Sequence, residues 1–312
     1  MGDLSKVGIV GAGYMGRRIA YSCIVSGKET RLYDISPDAS RKAIDVVRSL
    51  VIERDGSRLR ATGVASAMSR LSVKSSLAAC VAGVDLVVEA VPEVLETKRQ
   101  VFAEIDRHAD PETLIATNTS ALLGSPLAAA TRRPDKVVNF NFGHPEHRKV
   151  EVMAHSGTAP STVEATLEFL RSLDLVPILV RREIMGYATN RIWRAVKKEV
   201  LFLLDRGYTT ADDIDRGWIL DWGSPIGPCA MLDRIGLDVI RDVEMVYYQS
   251  TGDPSDRPPQ ILNDMVEQGK LGVKSGEGFY TYPNPRYQQP GWLEGRTEES
   301  RVGPHEARRD GS

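Results

Sequence analysis

Val7-Gly-Ile-Val-Gly-Ala-Gly-Tyr-Met-Gly16 decides the fold. Its first four residues form a short strand-like run, its last six place glycine at three fixed positions, and a helical run, Met15 to Ser26, follows directly. In a strand–turn–helix unit of this kind Gly11 makes the tight turn and Gly13 lets a pyrophosphate meet the backbone. Gly16 lets helix and strand pack closely. N–H groups around the helix start, over Ala12, Tyr14 and Met15, then face the phosphate charge. A glycine-rich turn alone is a weak signal. Here the strand before it, the helix after it and an acidic residue ending the second strand agree.

That acid is Asp34, in Arg31-Leu-Tyr-Asp34. A carboxylate there accepts hydrogen bonds from the adenosine ribose hydroxyls and repels a 2′-phosphate, which favours NAD over NADP. Asp34 is also placed to cap a helix before Pro37.

Working outward, short β-branched runs alternate with helical segments up to about Val180, the pattern of a parallel sheet flanked by helices. The expected strands are 7–10, 30–33, 86–90, 114–117, 137–142, 150–153 and 176–180, several apolar almost throughout, as strands covered on both faces are. After Arg181 long amphipathic stretches follow, Thr189 to Arg206 and Asp233 to Thr251, with no strand pattern before Gly278-Phe-Tyr-Thr-Tyr282. The expectation is α/β: a Rossmann-like doubly wound sheet over residues 1–182, then an all-α domain over 183–282 that closes over a substrate. Residues 283–312, rich in proline and charge, are expected to form a disordered tail.

Bulk properties narrow the function classes. Lys plus Arg (40) nearly balance Asp plus Glu (42), so no global field recruits nucleic acid or an anionic membrane. Three scattered cysteines, Cys23, Cys80 and Cys229, fit buried reduced thiols in the cytoplasm better than a disulfide or metal framework. Neither a secretory leader nor a membrane-spanning run is evident. No metal is expected.

From Lys6 to Tyr282 the chain resembles the L-3-hydroxyacyl-CoA dehydrogenase family. The resemblance rests on 7–16, on Asp85-Leu-Val-Val-Glu-Ala-Val-Pro-Glu93, Ala116-Thr-Asn-Thr-Ser120 and Gly186-Tyr-Ala-Thr-Asn-Arg191, and on Gly223-Ser-Pro-Ile-Gly-Pro228, Asp233-Arg-Ile-Gly-Leu-Asp238 and Gly272-Val-Lys-Ser-Gly-Glu-Gly-Phe-Tyr280. It implies hydride transfer between the C3 hydroxyl of an acyl-CoA and NAD, with a His oriented by a Glu taking the hydroxyl proton, a base suited to neutral pH. It also implies a homodimer, with 183–282 as the substrate and dimerisation domain. By resemblance Ser120 and Asn190 hydrogen-bond the reacting oxygen or nearby cofactor and substrate groups. Glu93, Lys98 and Lys274 contact the cofactor, and Glu151 is the orienting carboxylate. On local sequence alone Glu93 equally suits a helix cap, Lys98 and Lys274 solvated positions, and Asn190 a helix surface.

The chain departs from the family at the catalytic His. Counting along Pro134-Asp-Lys-Val-Val-Asn-Phe-Asn141, the family's His position holds Asn141, and Glu151 arrives two residues early. An amide is no base at neutral pH. His144 is the nearest substitute, yet in extended chain it lies roughly 10 Å from residue 141 and on the opposite face. It serves only if the chain turns after Phe142, which Gly143 permits. His147 is a further candidate, and a structural or solvent-facing role for either His stays open. No counterpart of the family's CoA-binding Lys is evident after Asp34, where Arg54, Arg58 and Arg60 stand instead. CoA, an acyl carrier protein and a free hydroxy acid therefore all remain as carriers. The leading reading is an NAD-dependent 3-hydroxyacyl-CoA dehydrogenase. The rivals are a divergent dehydrogenase acting on a free hydroxy acid or imine-type substrate, and a catalytically silent NAD-binding protein.

Overall fold

In β1 (Lys6–Val10) every residue from Val7 onward is buried, because apolar layers cover both faces of the strand. The computed structural model describes residues 4–55, 61–143 and 148–296. Two compact units emerge, Met1–Asn190 and Arg191–Ser312.

In the first unit β1 is followed by α1 (Tyr14–Val25), β2 (Glu29–Tyr33), α2 (Pro37–Asp55), α3 (Ala61–Met68), β3 (Leu71–Val73) and α4 (Leu77–Val81). Then come β4 (Leu86–Glu89), α5 (Leu95–His108), β5 (Leu114–Thr117), α6 (Ser125–Ala128), β6 (Val137–Phe142), β7 (Lys149–Met153), α7 (Pro160–Ser172) and β8 (Val176–Val180). The strands form one sheet in the order β3-β2-β1-β4-β5-β6-β7-β8. Side-chain alternation divides its residues between two cores. Ile9, Leu32, Leu86, Val88 and Phe140 enter one, with Phe169 of α7, while Val10, Val87, Ile115 and Val137 enter the other, with Phe102 and Ile105 of α5. Strand order reverses between β1 and β4, and the crevice beyond their carboxyl ends is where an open α/β sheet takes a ligand.

The seven expected strands are present to within a residue, with one added strand, β3, and one unexpected direction, that of β7. β3 is only three residues long and half-buried at the sheet edge, too short to show a period. β7 pairs antiparallel with β6 and parallel with β8, so the parallel pattern stops at β6.

The second unit holds α9 (Ala211–Trp222), α10 (Pro228–Ile235), α11 (Leu237–Thr251) and α12 (Gln260–Glu267), together with α8 (Thr189–Asp205) from Arg191 onward. Its core gathers Val200, Leu201, Leu232, Ile240, Leu262 and Tyr280. The stretch from Asp233 to Thr251 is two helices, broken at Gly236, whose φ of 107° no helix accommodates. Residues 278–282 are not a strand. Asp233 accepts the N–H groups of Phe279 and Tyr280 at 2.9 Å each, so a side chain replaces the ladder.

The expected tail needs correction as far as Arg296. Trp292 is 1% exposed, its indole N–H donates to Asp212 at 2.8 Å, and Arg216 stacks 4.9 Å from its ring. Tyr287 packs edge-on between Tyr280 and Trp292. Two aromatic anchors order a segment whose average composition is that of a linker. Residues 297–312, and with them the rest of the expected tail, lie outside the described residues.

Cys23, Cys80 and Cys229 are free and buried, as expected. Among the described residues no helix is long and apolar enough to cross a membrane.

Candidate functional site

The glycine turn does what its spacing requires. Gly11 has φ 110°, and a Cβ there would lie 2.5 Å from the Ala90 carbonyl oxygen. A Cβ on Gly16 would collide with the Gly11 carbonyl, so only glycine lets α1 start against β1. Gly13 differs: among the described residues nothing stands within 4 Å of a Cβ built on it. That open ground at the N-cap of a 12-residue helix is the cradle a pyrophosphate needs, with the helix's first N–H groups pointing toward it.

Asp34 ties this turn to the end of β2. One carboxylate oxygen accepts the Ala12 N–H at 2.8 Å and the other the Ser36 N–H at 2.8 Å. It does not cap α2; the Ser36 hydroxyl takes that place, accepting from Ala39 N–H. A cleft of about 1050 Å³ opens here, and every residue lining it belongs to the first unit. Its size is at the top of the usual range of about 300–1,000 Å³ for small-molecule and cofactor sites.

Of the expected site residues, Gly11, Gly13, Tyr14, Met15, Asp34, Glu93, Ser120, Asn141 and Asn190 line the cleft together. The others lie elsewhere. Ala12 and Gly16 are buried beneath it, the first bound to Asp34 and the second packed on Gly11. Lys98 is wholly buried and off the lining. Lys274 belongs to the second unit, where its ammonium lies 2.6 Å from Asp238. His144 and His147 fall outside the described residues, as do Arg58 and Arg60.

Glu151 is fully buried, opposite Asn141 in the β6–β7 register. Its Oε1 accepts the N–H groups of Ala188 at 3.1 Å and Thr189 at 2.8 Å, and Lys149 donates to Oε2 at 3.3 Å. The carboxylate is held by the start of α8 and a neighbouring cation.

Several residues of the cleft were not anticipated. Asn118, in the same block as Ser120, lines it and accepts the Phe142 N–H at 3.2 Å, joining the β5 loop to β6 beside Asn141. Its short loop is also held by Tyr187, whose hydroxyl donates to Thr119 O at 2.9 Å. Leu77, Val91, Val101 and Ile35, the last 89% exposed, give the Asp34 end an apolar wall. A single acid in an apolar strand, Glu89 in Leu86-Val-Val-Glu89, was the legible sign of a buried polar network. Asn118 had only its place in a quoted block.

The comparisons with known proteins decide the family. The model of the 3-hydroxyacyl-CoA dehydrogenase NAD-binding domain matches residues 6–184, and that of the C-terminal domain residues 186–282. The chain belongs to the 3-hydroxyacyl-CoA dehydrogenase family. NAD is accordingly its cofactor, and the Gly13 cradle and the Asp34 carboxylate fit it. Within this family the chain is similar to a probable 3-hydroxybutyryl-CoA dehydrogenase of Bacillus subtilis, 30% identical over 283 residues covering 90% of this chain and 98% of that one. It is likewise similar to 5-formyl-3-hydroxy-2-methylpyridine 4-carboxylate 5-dehydrogenase of Mesorhizobium japonicum, 30% identical over 288 residues, 89% and 91% of the two chains. Among solved structures (S)-3-hydroxybutyryl-CoA dehydrogenase from Ralstonia eutropha matches with a TM-score of 0.83 and 33% identity, covering 90% of this chain and all of that one.

Proposed function

We propose that this protein interconverts a 3-hydroxyacyl-CoA, or a similar 3-hydroxyacyl thioester, and its 3-oxo form, in fatty acid metabolism in the cytoplasm. The observation that carries the reading is the meeting of Ser120, Asn141 and Asn190 on the wall of the cleft that also holds the glycine turn and Asp34.

NAD, when bound, supplies the hydride acceptor. Ser120, Asn141 and Asn190 offer the hydroxyl and amide groups that hydrogen-bond the reacting oxygen and fix its direction. Asn141 stands where the family has its catalytic His. As an amide it orients and does not deprotonate. Proton transfer is then assigned to His144, which lies outside the described residues, and His144→Ala is expected to abolish turnover while NAD affinity stays as it was.

A second reading, dehydrogenation of a free acid, draws on one observation. Arg18, Arg54 and Lys149 surround a small crevice next to Phe142 and Gly143, a setting for an anionic group. A phosphate of CoA and a substrate carboxylate both answer to it, and the relative in Mesorhizobium japonicum is named for a pyridine carboxylate. Absorbance of NADH with acetoacetyl-CoA, followed by free oxo acids, separates the readings. Consumption with the thioester supports the first and consumption only with free acids the second. Binding without consumption indicates a silent protein.

We further expect a homodimer. Val239, Val243 and Val246 form an exposed stripe at helical spacing on α11, and a second copy of the chain is the proposed cover. Light scattering at twice the chain mass is the expected result.

A further inference from the structure

The resemblance assigns Lys98 to the cofactor, and its surroundings give it a task within the protein. Lys98 sits in the first turn of α5 with its side chain 0% exposed. Its ammonium lies 2.8 and 3.0 Å from the two oxygens of Glu89, 3.2 Å from the Val91 carbonyl and 3.4 Å from Glu93 Oε2. An ammonium has three protons, and these partners take all of them.

Glu89 is equally occupied. Its Oε1 also accepts the Val91 N–H at 2.6 Å and its Oε2 the Thr117 hydroxyl at 2.6 Å. Burial pushes its carboxyl above the ordinary range, against the pull of Lys98. Lys98 thus bridges two carboxylates, one sealed inside the sheet and one at the cleft. Glu93, with Oε2 held toward Lys98, turns Oε1 to the loop after β5. There it accepts the Thr119 hydroxyl and the N–H groups of Ser120 at 3.0 Å and Ala121 at 3.2 Å. That loop carries Asn118 and Ser120, both on the cleft wall.

We propose that Lys98 is a positioning residue: with Glu89 it clamps Glu93 onto the Asn118–Ala121 loop and so sets Ser120 and Asn118 in the cleft. The functional part of this proposal rests on NAD binding there. Without Lys98, Glu93 loses its counter-charge and the loop loses the acceptor that gathers three of its donors.

The test is Lys98→Met in the full chain. It reads hydrogen exchange of the peptide covering 117–122 without ligand, NADH affinity by fluorescence titration, and kcat with acetoacetyl-CoA. Faster exchange at 118–121 is expected, with kcat lowered at least about tenfold and NADH affinity falling together with the order of the loop, because Glu93 and Ser120 line the cleft. Unchanged exchange at 118–121 or unchanged kcat overturns the proposal, and weakened NADH affinity with unchanged exchange marks a direct ligand only. Should Lys98→Met not fold, the double variant Glu89→Gln/Lys98→Met, which removes the unpaired buried charge, takes the same three readings. A parent protein that binds no NADH refutes the cofactor reading instead, and the exchange comparison still decides whether Lys98 holds the loop.

Discussion

Asn141 and Glu151 face each other across the antiparallel β6–β7 pair, and Glu151 is already bound by the amides of Ala188 and Thr189 and by Lys149. A carboxylate so placed anchors the entry to α8. Buried hydrogen bonds to a charged acceptor are worth about 1.5–3 kcal/mol each. Glu151→Gln keeps an acceptor for the two amides and loses the attraction to Lys149. It is expected to lower stability by about 1–3 kcal/mol in urea titration. No loss of stability would show that the anchor is dispensable.

Gly13 and Gly16 separate binding from folding. Gly13→Ala adds a methyl where no atom of the described residues stands within 4 Å, so the melting temperature should hold while NAD affinity falls at least about tenfold. In Gly16→Ala the methyl meets the Gly11 carbonyl, and overpacking of this kind costs about 1–3 kcal/mol. Thermal melts and NADH titration of both variants check the pair; equal behaviour would contradict it.

Asp34→Ser removes the carboxylate that repels a 2′-phosphate and the acceptor of the Ala12 N–H. Weaker NAD binding and a ratio of NAD to NADP affinity reduced about tenfold, or about 1.4 kcal/mol, are expected from calorimetry. An unchanged ratio would remove Asp34 from cofactor choice.

In the second unit Asp256 lies 2.8 Å from both Lys198 and Arg194, and these hydrogen bonds hold its carboxyl far below the usual carboxylate range. A depressed folded-state value contributes stability above the unfolded value of about 3.9, lost as pH falls through the folded one. Urea midpoints of the parent should therefore drop below about pH 4 more steeply than those of Asp256→Asn. Parallel pH profiles would exclude the effect.

Trp292→Ala tests whether the segment beyond Tyr282 is part of the second unit. With the indole fully enclosed and bonded to Asp212, a loss of about 3–5 kcal/mol is expected from chemical denaturation. A loss under about 1 kcal/mol would return the segment to the status of a tail.

The sequence by itself determined the strand–glycine turn–helix unit, the alternation of the sheet domain, the helical character of the rest and part of the cleft lining. These features are local: a period of two or of 3.6, or three glycines at set spacing, is written in consecutive residues. What only the tertiary structure decided involves partners distant along the chain. The reversal at β7 comes from pairing with β6, and Trp292 is ordered by Asp212 and Arg216, about eighty residues earlier. Lys98 read as solvated or cofactor-bound until Glu89, Val91 and Glu93 closed around its ammonium. Which donors hold the Glu151 carboxylate depended on Ala188 and Thr189, 37 and 38 residues on at the start of α8. A side chain's type limits what it can bond, and only the folded chain chooses among the partners, since each buried polar group must find one when water is excluded.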